Sequence, residues 1–194
     1  MQPTGGFLAL VYMMNPVRSF LSVAQALLLA TTLLLSAGCM KSNDDVYLNQ
    51  LDELRKQAEK AKIDDEATIQ KYLADNNIKK YTKLSTGTYV VPDSTATGTG
   101  DLPKVGQTLT VLYTGTFFDG RIFDSTANRN NDPYPFVLGT QGIIQGWNDG
   151  FAVLKKGSKA TLLIPSARAY GVSSRGPIPP NTPIRFTVEL LDIK

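Results

Sequence analysis

The sequence predicts an α+β domain over residues 81–194, an antiparallel sheet with one short helix laid on it, preceded by a helical arm over 46–80. Two observations carry this. Thr88–Val91, Thr108–Thr116, Pro135–Leu138, Ala160–Ile164 and Ile184–Leu191 are rich in Val, Leu, Thr, Ile and aromatics, and Gly, Pro, Asp and Asn separate them. One helical stretch, Ile144–Phe151, fits between the last three, and no regular long helices alternate with the strands as a parallel sheet would need.

The N-terminus reads as an address. Phe20–Leu35 holds sixteen residues without a charge, and Arg18 lies just before it. A basic flank and a short apolar run make a secretory leader, somewhat short of the roughly 20 residues that span a bilayer. Met13 or Met14 is an alternative start to Met1, and either gives a compact leader. The run ends Leu35-Ser36-Ala37-Gly38-Cys39, and Cys39 is the single cysteine of the chain. Small residues before a cysteine resemble the lipobox of bacterial lipoproteins, with Ser36 where that family usually has Leu. The resemblance implies a leader over 1–38, removed before Cys39, and a lipidated Cys39 as first residue. The alternative is an uncleaved anchor with an incidental cysteine. Met40, where an Asp would retain a lipoprotein in the inner membrane, favours the outer membrane, and Asp44 and Asp45 are compatible with export to the cell surface.

Lys41–Asp45 is polar and, after Cys39 within 39–45, reads as a tether. Tyr47, Leu51, Leu54, Ala58 and Ala61 then recur at helical spacing, with charges on the other faces. Such a stripe packs on its own domain, stands as a spacer, or joins two chains. Asp64 or Asp65 is placed to cap a second helix carrying Ile69, Tyr72 and Leu73, which Asn76-Asn77 stops. Pro92–Gly100, PDSTATGTG, reads as a long surface loop.

Composition excludes several chemistries. The chain has no histidine, so His-activated nucleophiles, His general bases and His metal ligands are ruled out. One cysteine excludes an intrachain disulfide and a Cys-rich metal centre. A net charge of +3 gives no reason to expect a nucleic-acid partner. No phosphate-binding loop is present, and neither a metal nor a cofactor is expected.

A series of short blocks then becomes specific in combination. Val111-Leu112-Tyr113-Thr114-Gly115 precedes Asp119-Gly120-Arg121-Ile122-Phe123-Asp124-Ser125. Phe136-Val137-Leu138-Gly139 precedes Ile143-Ile144-Gln145-Gly146-Trp147. Leu163-Ile164-Pro165, Ala169-Tyr170-Gly171, Ile178-Pro179-Pro180 and Phe186–Leu191 follow in order. Over residues 84–194 the chain resembles the FK506-binding (FKBP-type) peptidyl-prolyl cis–trans isomerases. The resemblance implies a twisted antiparallel sheet half-wrapped around one short helix. It implies a pocket of Tyr113, Phe123, Trp147 and Phe186 with Trp147 as floor, Ile143 and Ile144 as a wall, and Ile178 as a cap. The Ile144 N–H would hold a substrate carbonyl, the Tyr170 hydroxyl would offer a second hydrogen bond, and Asp124 would sit at the edge in an electrostatic and orienting role. Singly, each of these residues would be core, turn or loop; their order makes them a pocket.

The sequence departs from the family in two places. Tyr134 stands where a Phe is usual. The Val172–Pro177 loop is about one residue shorter than in the small cytosolic members and carries Arg175 near a usual His. The implied partners are proline-containing polypeptides, an FK506-like macrolide, and the membrane through lipid on Cys39. Two further readings stand beside the isomerase: a non-catalytic proline-peptide-binding or chaperone module, and a surface lipoprotein assembled through the Tyr47–Ala61 helix.

Overall fold

A computed structural model describes residues 43–194; the leader, Cys39 and Met40 lie outside them. The chain divides into two compact units, Met1–Leu51 and Asp52–Lys194. Of the first unit, the described part is the opening of helix α1 (Asn43–Asp75), with Val46, Tyr47, Leu48 and Leu51 exposed.

The arm differs from expectation. α1 is one helix of 33 residues, not two, and it begins inside the stretch read as a tether. Asp65 caps nothing. It sits at mid-helix, 2% exposed, and its Oδ2 accepts from the backbone N–H and the hydroxyl of Ser166, both at 2.7 Å. A tertiary partner thus occupies the side chain that would otherwise have started a new helix. Neighbouring Asp64 is held by Lys60 one turn back, which supports continuity. The C-terminus behaves as read. Asn77 adopts φ 51°, Ile78 N–H bonds Leu73 O at 2.8 Å, and Asn77 N–H bonds Ala74 O at 3.0 Å. That is a Schellman stop, made with Asn where Gly is commoner.

Seven strands form one antiparallel sheet: β1 (Thr82–Lys83), β2 (Tyr89–Thr99), β3 (Thr108–Thr116), β4 (Ile122–Ser125), β5 (Tyr134–Val137), β6 (Lys156–Ile164) and β7 (Ile184–Ile193). Their order is β1-β2-β6-β7-β3-β4, with β5 also on β3. β4 pairs with Thr114–Thr116 and β5 with Thr108–Val111, so two short strands share the outer edge of β3. Helix α2 (Gln145–Phe151) lies between β5 and β6 in the chain. The expected α+β class is the one observed.

Pro92–Gly100 is not a loop. β2 continues through it to Thr99, with a register shift between Pro92 and Thr97. β1 pairs only as far as Val90, so Pro92 occupies a position where no second neighbour asks for its missing N–H.

Alternation divides the sheet between two cores. Leu162 and its register partner Phe186, with Ala160 and Val188, face the main core around α2. Tyr89 and its partner Leu163 face the other way and meet Ile69 and Leu73 of α1. Both sets are fully buried or nearly so, which gives each about 1.5–3 kcal/mol of burial free energy per large side chain. The second core therefore docks the C-terminal half of α1 on the sheet. Glu66 reinforces it, accepting from the Tyr89 hydroxyl at 2.5 Å and Lys83 Nζ at 2.9 Å.

Candidate active site

The two glycines of α2 set the position of the pocket floor. A Cβ on Gly146 would stand 2.3 Å from Ile164 Cγ2, and one on Gly150 would stand 2.7 Å from Leu162 Cδ1. Four helical residues rise about 6 Å, and two strand residues about 6.6 Å, so the pair of glycines matches the pair of strand side chains. Glycine costs an isolated helix about 1 kcal/mol relative to Ala. Here it lets α2 lie directly on β6, and Trp147, on the same helix, turns its ring into a cage of aromatics. The ring meets Tyr113 at 5.1 Å, Phe186 at 5.2 Å, Phe136 at 5.3 Å and Phe151 at 5.4 Å between centroids. Within this cage the indole still lines the pocket, 5% exposed. Its Nε1 is the one buried side-chain polar atom without a partner among the described residues.

β3 and β7 supply Tyr113 and Phe186, and β4 supplies Phe123 and Asp124. Phe123 and Phe186 meet edge to face at 5.5 Å. They close over Gly115, where a Cβ would come within 2.5 Å of one ring and 2.8 Å of the other. Asp124 is held from several sides. Tyr113 Oη donates to its Oδ2 at 2.7 Å, and the Ser125 N–H donates to its Oδ1 at 2.8 Å. Arg129 stands 3.4 Å from Oδ1 and also donates to the Tyr113 hydroxyl. Burial, and then the Asp124 carboxylate accepting its proton, push the Tyr113 phenol up to about 12 against the opposing pull of Arg129. It is therefore a neutral donor at any physiological pH, with its proton committed to Asp124.

The opposite rim comes from loops. Asn148 of α2 accepts from Gly139 N–H at 2.7 Å and donates to Thr140 O at 3.0 Å, which fixes the turn leading to Ile143 and Ile144. The Ile144 carbonyl takes the Trp147 N–H, while the Ile144 N–H has no backbone partner among the described residues. Asp149 receives both Nε and Nη2 of Arg168, at 2.8 and 2.7 Å, and so ties α2 to the turn that carries Tyr170. The same turn begins at Ser166, held by Asp65 of α1. The Tyr170 hydroxyl makes no hydrogen bond within the described chain. Burial raises its pKa, so it too remains a donor. Arg175 and Ile178 exchange backbone hydrogen bonds at 2.9 and 3.0 Å, closing the 175–178 turn and folding Ile178 inward, 3% exposed.

The result is one pocket of about 780 Å³. Asp124, Phe123, Tyr170, Tyr113, Tyr134, Ile143, Ile144, Trp147, Ile178 and Phe186 all line it. Tyr134 lies 37% exposed at the mouth, its ring 6.0 Å from Tyr113. The structure thus brings together every residue singled out for the pocket. Sequence reasoning missed Arg129, which nothing but the Thr126–Arg129 turn places beside Asp124. It also missed the Asn148 and Asp149–Arg168 braces. Among the described residues no group of three or more Cys, Asp or Glu side chains could hold a metal ion.

Comparison with known proteins agrees with this geometry. Residues 100–191 match the model of a family described as FKBP-type peptidyl-prolyl cis-trans isomerase. The chain is 40% identical over 136 residues to the isomerase FkpA of Escherichia coli K12, covering 70% of this chain and 49% of that one. It thus spans about half the length of these FkpA relatives. It is 43% identical over 109 residues to the isomerase Fkbp12 of Drosophila melanogaster, covering 56% of this chain and 99% of that one. The crystal structure of Escherichia coli FkpA superposes with a TM-score of 0.59 at 32% identity, over 88% of this chain and 82% of that one.

Proposed function

The chain belongs to the FKBP-type peptidyl-prolyl cis-trans isomerase family, and from that premise we propose that its pocket catalyses rotation about X–Pro bonds in polypeptides outside the cytoplasm. The single observation that carries the reading is the convergence of the four rings of Tyr113, Phe123, Trp147 and Phe186 with three directed polar groups in one pocket.

The reaction makes no bond and moves no proton. Its barrier, roughly 18–20 kcal/mol, is the resonance that makes the amide C–N bond partly double. A catalyst lowers it by favouring the twisted amide over both planar forms. Twisting ends the conjugation and takes charge off the carbonyl oxygen, so a dry aromatic cavity stabilises that state relative to water. The proline ring sits on Trp147, against the edge-to-face pair of Phe123 and Phe186. The Ile144 N–H and the Tyr170 hydroxyl, both without partners among the described residues, hold substrate carbonyls on either side of the bond. Asp124 faces the rotating carbonyl with its charge held in place by Tyr113 and Arg129; its work is electrostatic and orienting. An FK506-like macrolide that fills the aromatic cage would compete with substrate.

The location follows from the sequence. The leader directs the chain out of the cytoplasm, and lipid on Cys39 anchors it, with the outer membrane favoured by Met40. Each buried CH₂ of an acyl chain contributes about 0.8 kcal/mol to anchoring. Among the described residues no helix is long and apolar enough to cross a membrane. The exposed Tyr47, Leu51 and Leu54 of α1 support a role for the arm in joining two chains.

Refolding of a protein limited by a trans-to-cis prolyl step tests the activity. The slow phase should shorten in proportion to added chain, and FK506 should reverse the effect. Peptide binding with an unchanged slow phase would move the function to binding alone. For the anchor, Cys39→Ala should release the protein from the membrane fraction.

A further inference from the structure

Arg175 is the exception among the arginines of the described residues. Arg55, Arg121, Arg129 and Arg168 pair with carboxylates, and Arg185 donates to Thr116 and Tyr72. Among the described residues the guanidinium of Arg175 has no hydrogen bond or ion pair partner. It nevertheless lines the pocket, at the start of a turn closed by the two Arg175–Ile178 backbone bonds. Its backbone is therefore fixed while its charge is free.

The charged residues of the pocket wall are Asp124, Arg129 and Arg175. Asp124 and Arg129 face one another at 3.4 Å and offset each other. Arg175 is left as the uncompensated charge, on the rim where Tyr170 stands. An unpaired cation over a pocket raises the local concentration of anionic groups and disfavours cationic ones.

Resting on the isomerase reading above, we propose that Arg175 is a specificity-determining residue: the pocket prefers polypeptides with an acidic side chain next to the proline and disfavours those with a basic one. A carboxylate reaching Arg175 at ion-pair distance in water gains a preference of about fivefold, the equivalent of about 1 kcal/mol. Salt weakens it, since the site is open to solvent.

The test uses the full chain and NMR exchange measurements on short peptides. In one series the residue before proline is Glu, Gln, Leu or Lys, and in the other the residue after it. The proposal predicts Glu over Lys by about fivefold or more in at least one series, shrinking toward unity at 1 M salt. It also predicts that the Glu/Lys ratio falls to near one in Arg175→Gln and inverts in Arg175→Glu. Equal Glu and Lys rates in both series, with the Leu peptide turned over, would overturn the proposal and leave the isomerase intact. A preference that survives Arg175→Gln would overturn it as well. No exchange on any peptide, Leu included, would instead count against the isomerase reading.

Discussion

Gly146→Ala should destabilise the protein, although Ala is the better helix former. The added Cβ would lie 2.3 Å from Ile164 Cγ2 and 2.9 Å from both Cγ1 and Cδ1 of the same side chain. Carbon atoms rest at about 3.5–4.0 Å, so α2 or Ile164 must move by more than 1 Å. Overpacking of this kind costs about 1–3 kcal/mol, against a helix-propensity gain of about 1 kcal/mol. The net expectation is a loss of up to about 2 kcal/mol and a displaced Trp147. Urea unfolding followed by fluorescence measures both, because Trp147 is the sole tryptophan. A double-mutant cycle isolates the cause. Ile164→Ala alone should cost about 2–5 kcal/mol, since it empties a fully buried site. In that background the overpacking cost should vanish and leave only the helix-propensity gain, giving a coupling of about 1–3 kcal/mol. Additive effects, or a stabilised Gly146→Ala single variant, would refute the argument that glycine is there for close approach.

Two further outcomes follow from the buried polar groups. Asp65→Ala should lose about 1–3 kcal/mol in urea unfolding, because two buried Ser166 donors lose their acceptor, while Asp65→Asn should retain most of the stability. Burial outweighs those two hydrogen bonds and raises the Asp65 pKa. The folded chain then holds that proton more tightly than the unfolded one, so this residue's contribution to stability falls as pH rises through the carboxylate range, and Asp65→Asn should abolish the fall. Tyr113 acts at the alkaline end. Its phenol titrates at about 12 when folded against an ordinary 10.0. Nothing changes below pH 10, and between there and pH 12 ionisation of the unfolded chain should remove about 3 kcal/mol of stability that Tyr113→Phe does not lose.

The pocket was legible in the sequence because each of its aromatics lies in a short block whose order is characteristic. What escaped was long-range. Asp65 and Asp64 look like helix caps from their neighbours alone, and only Ser166, 101 residues away, explains why the helix runs through. Pro92 and the Ser-Thr-Gly run after it carry loop composition, yet an edge position tolerates both. Arg129 gave no local signal, since its role is set by where β4 ends and how the following turn folds back onto Tyr113. The exposed stripe on α1 was read correctly as helical, but its burial could not be inferred from spacing: Tyr47, Leu51 and Leu54 remain exposed.

The most direct test of the central claim is the rate of a proline-limited refolding step with wild-type chain, Phe123→Ala and Asp124→Val at equal concentration. Phe123→Ala removes one wall of the cage, and Asp124→Val removes the charge while keeping a branched side chain. Each should lower the rate enhancement about tenfold or more, the equivalent of about 1.4 kcal/mol of transition-state stabilisation, with the fold intact by circular dichroism. Wild-type enhancement undiminished in both variants would contradict the assignment of catalysis to this pocket.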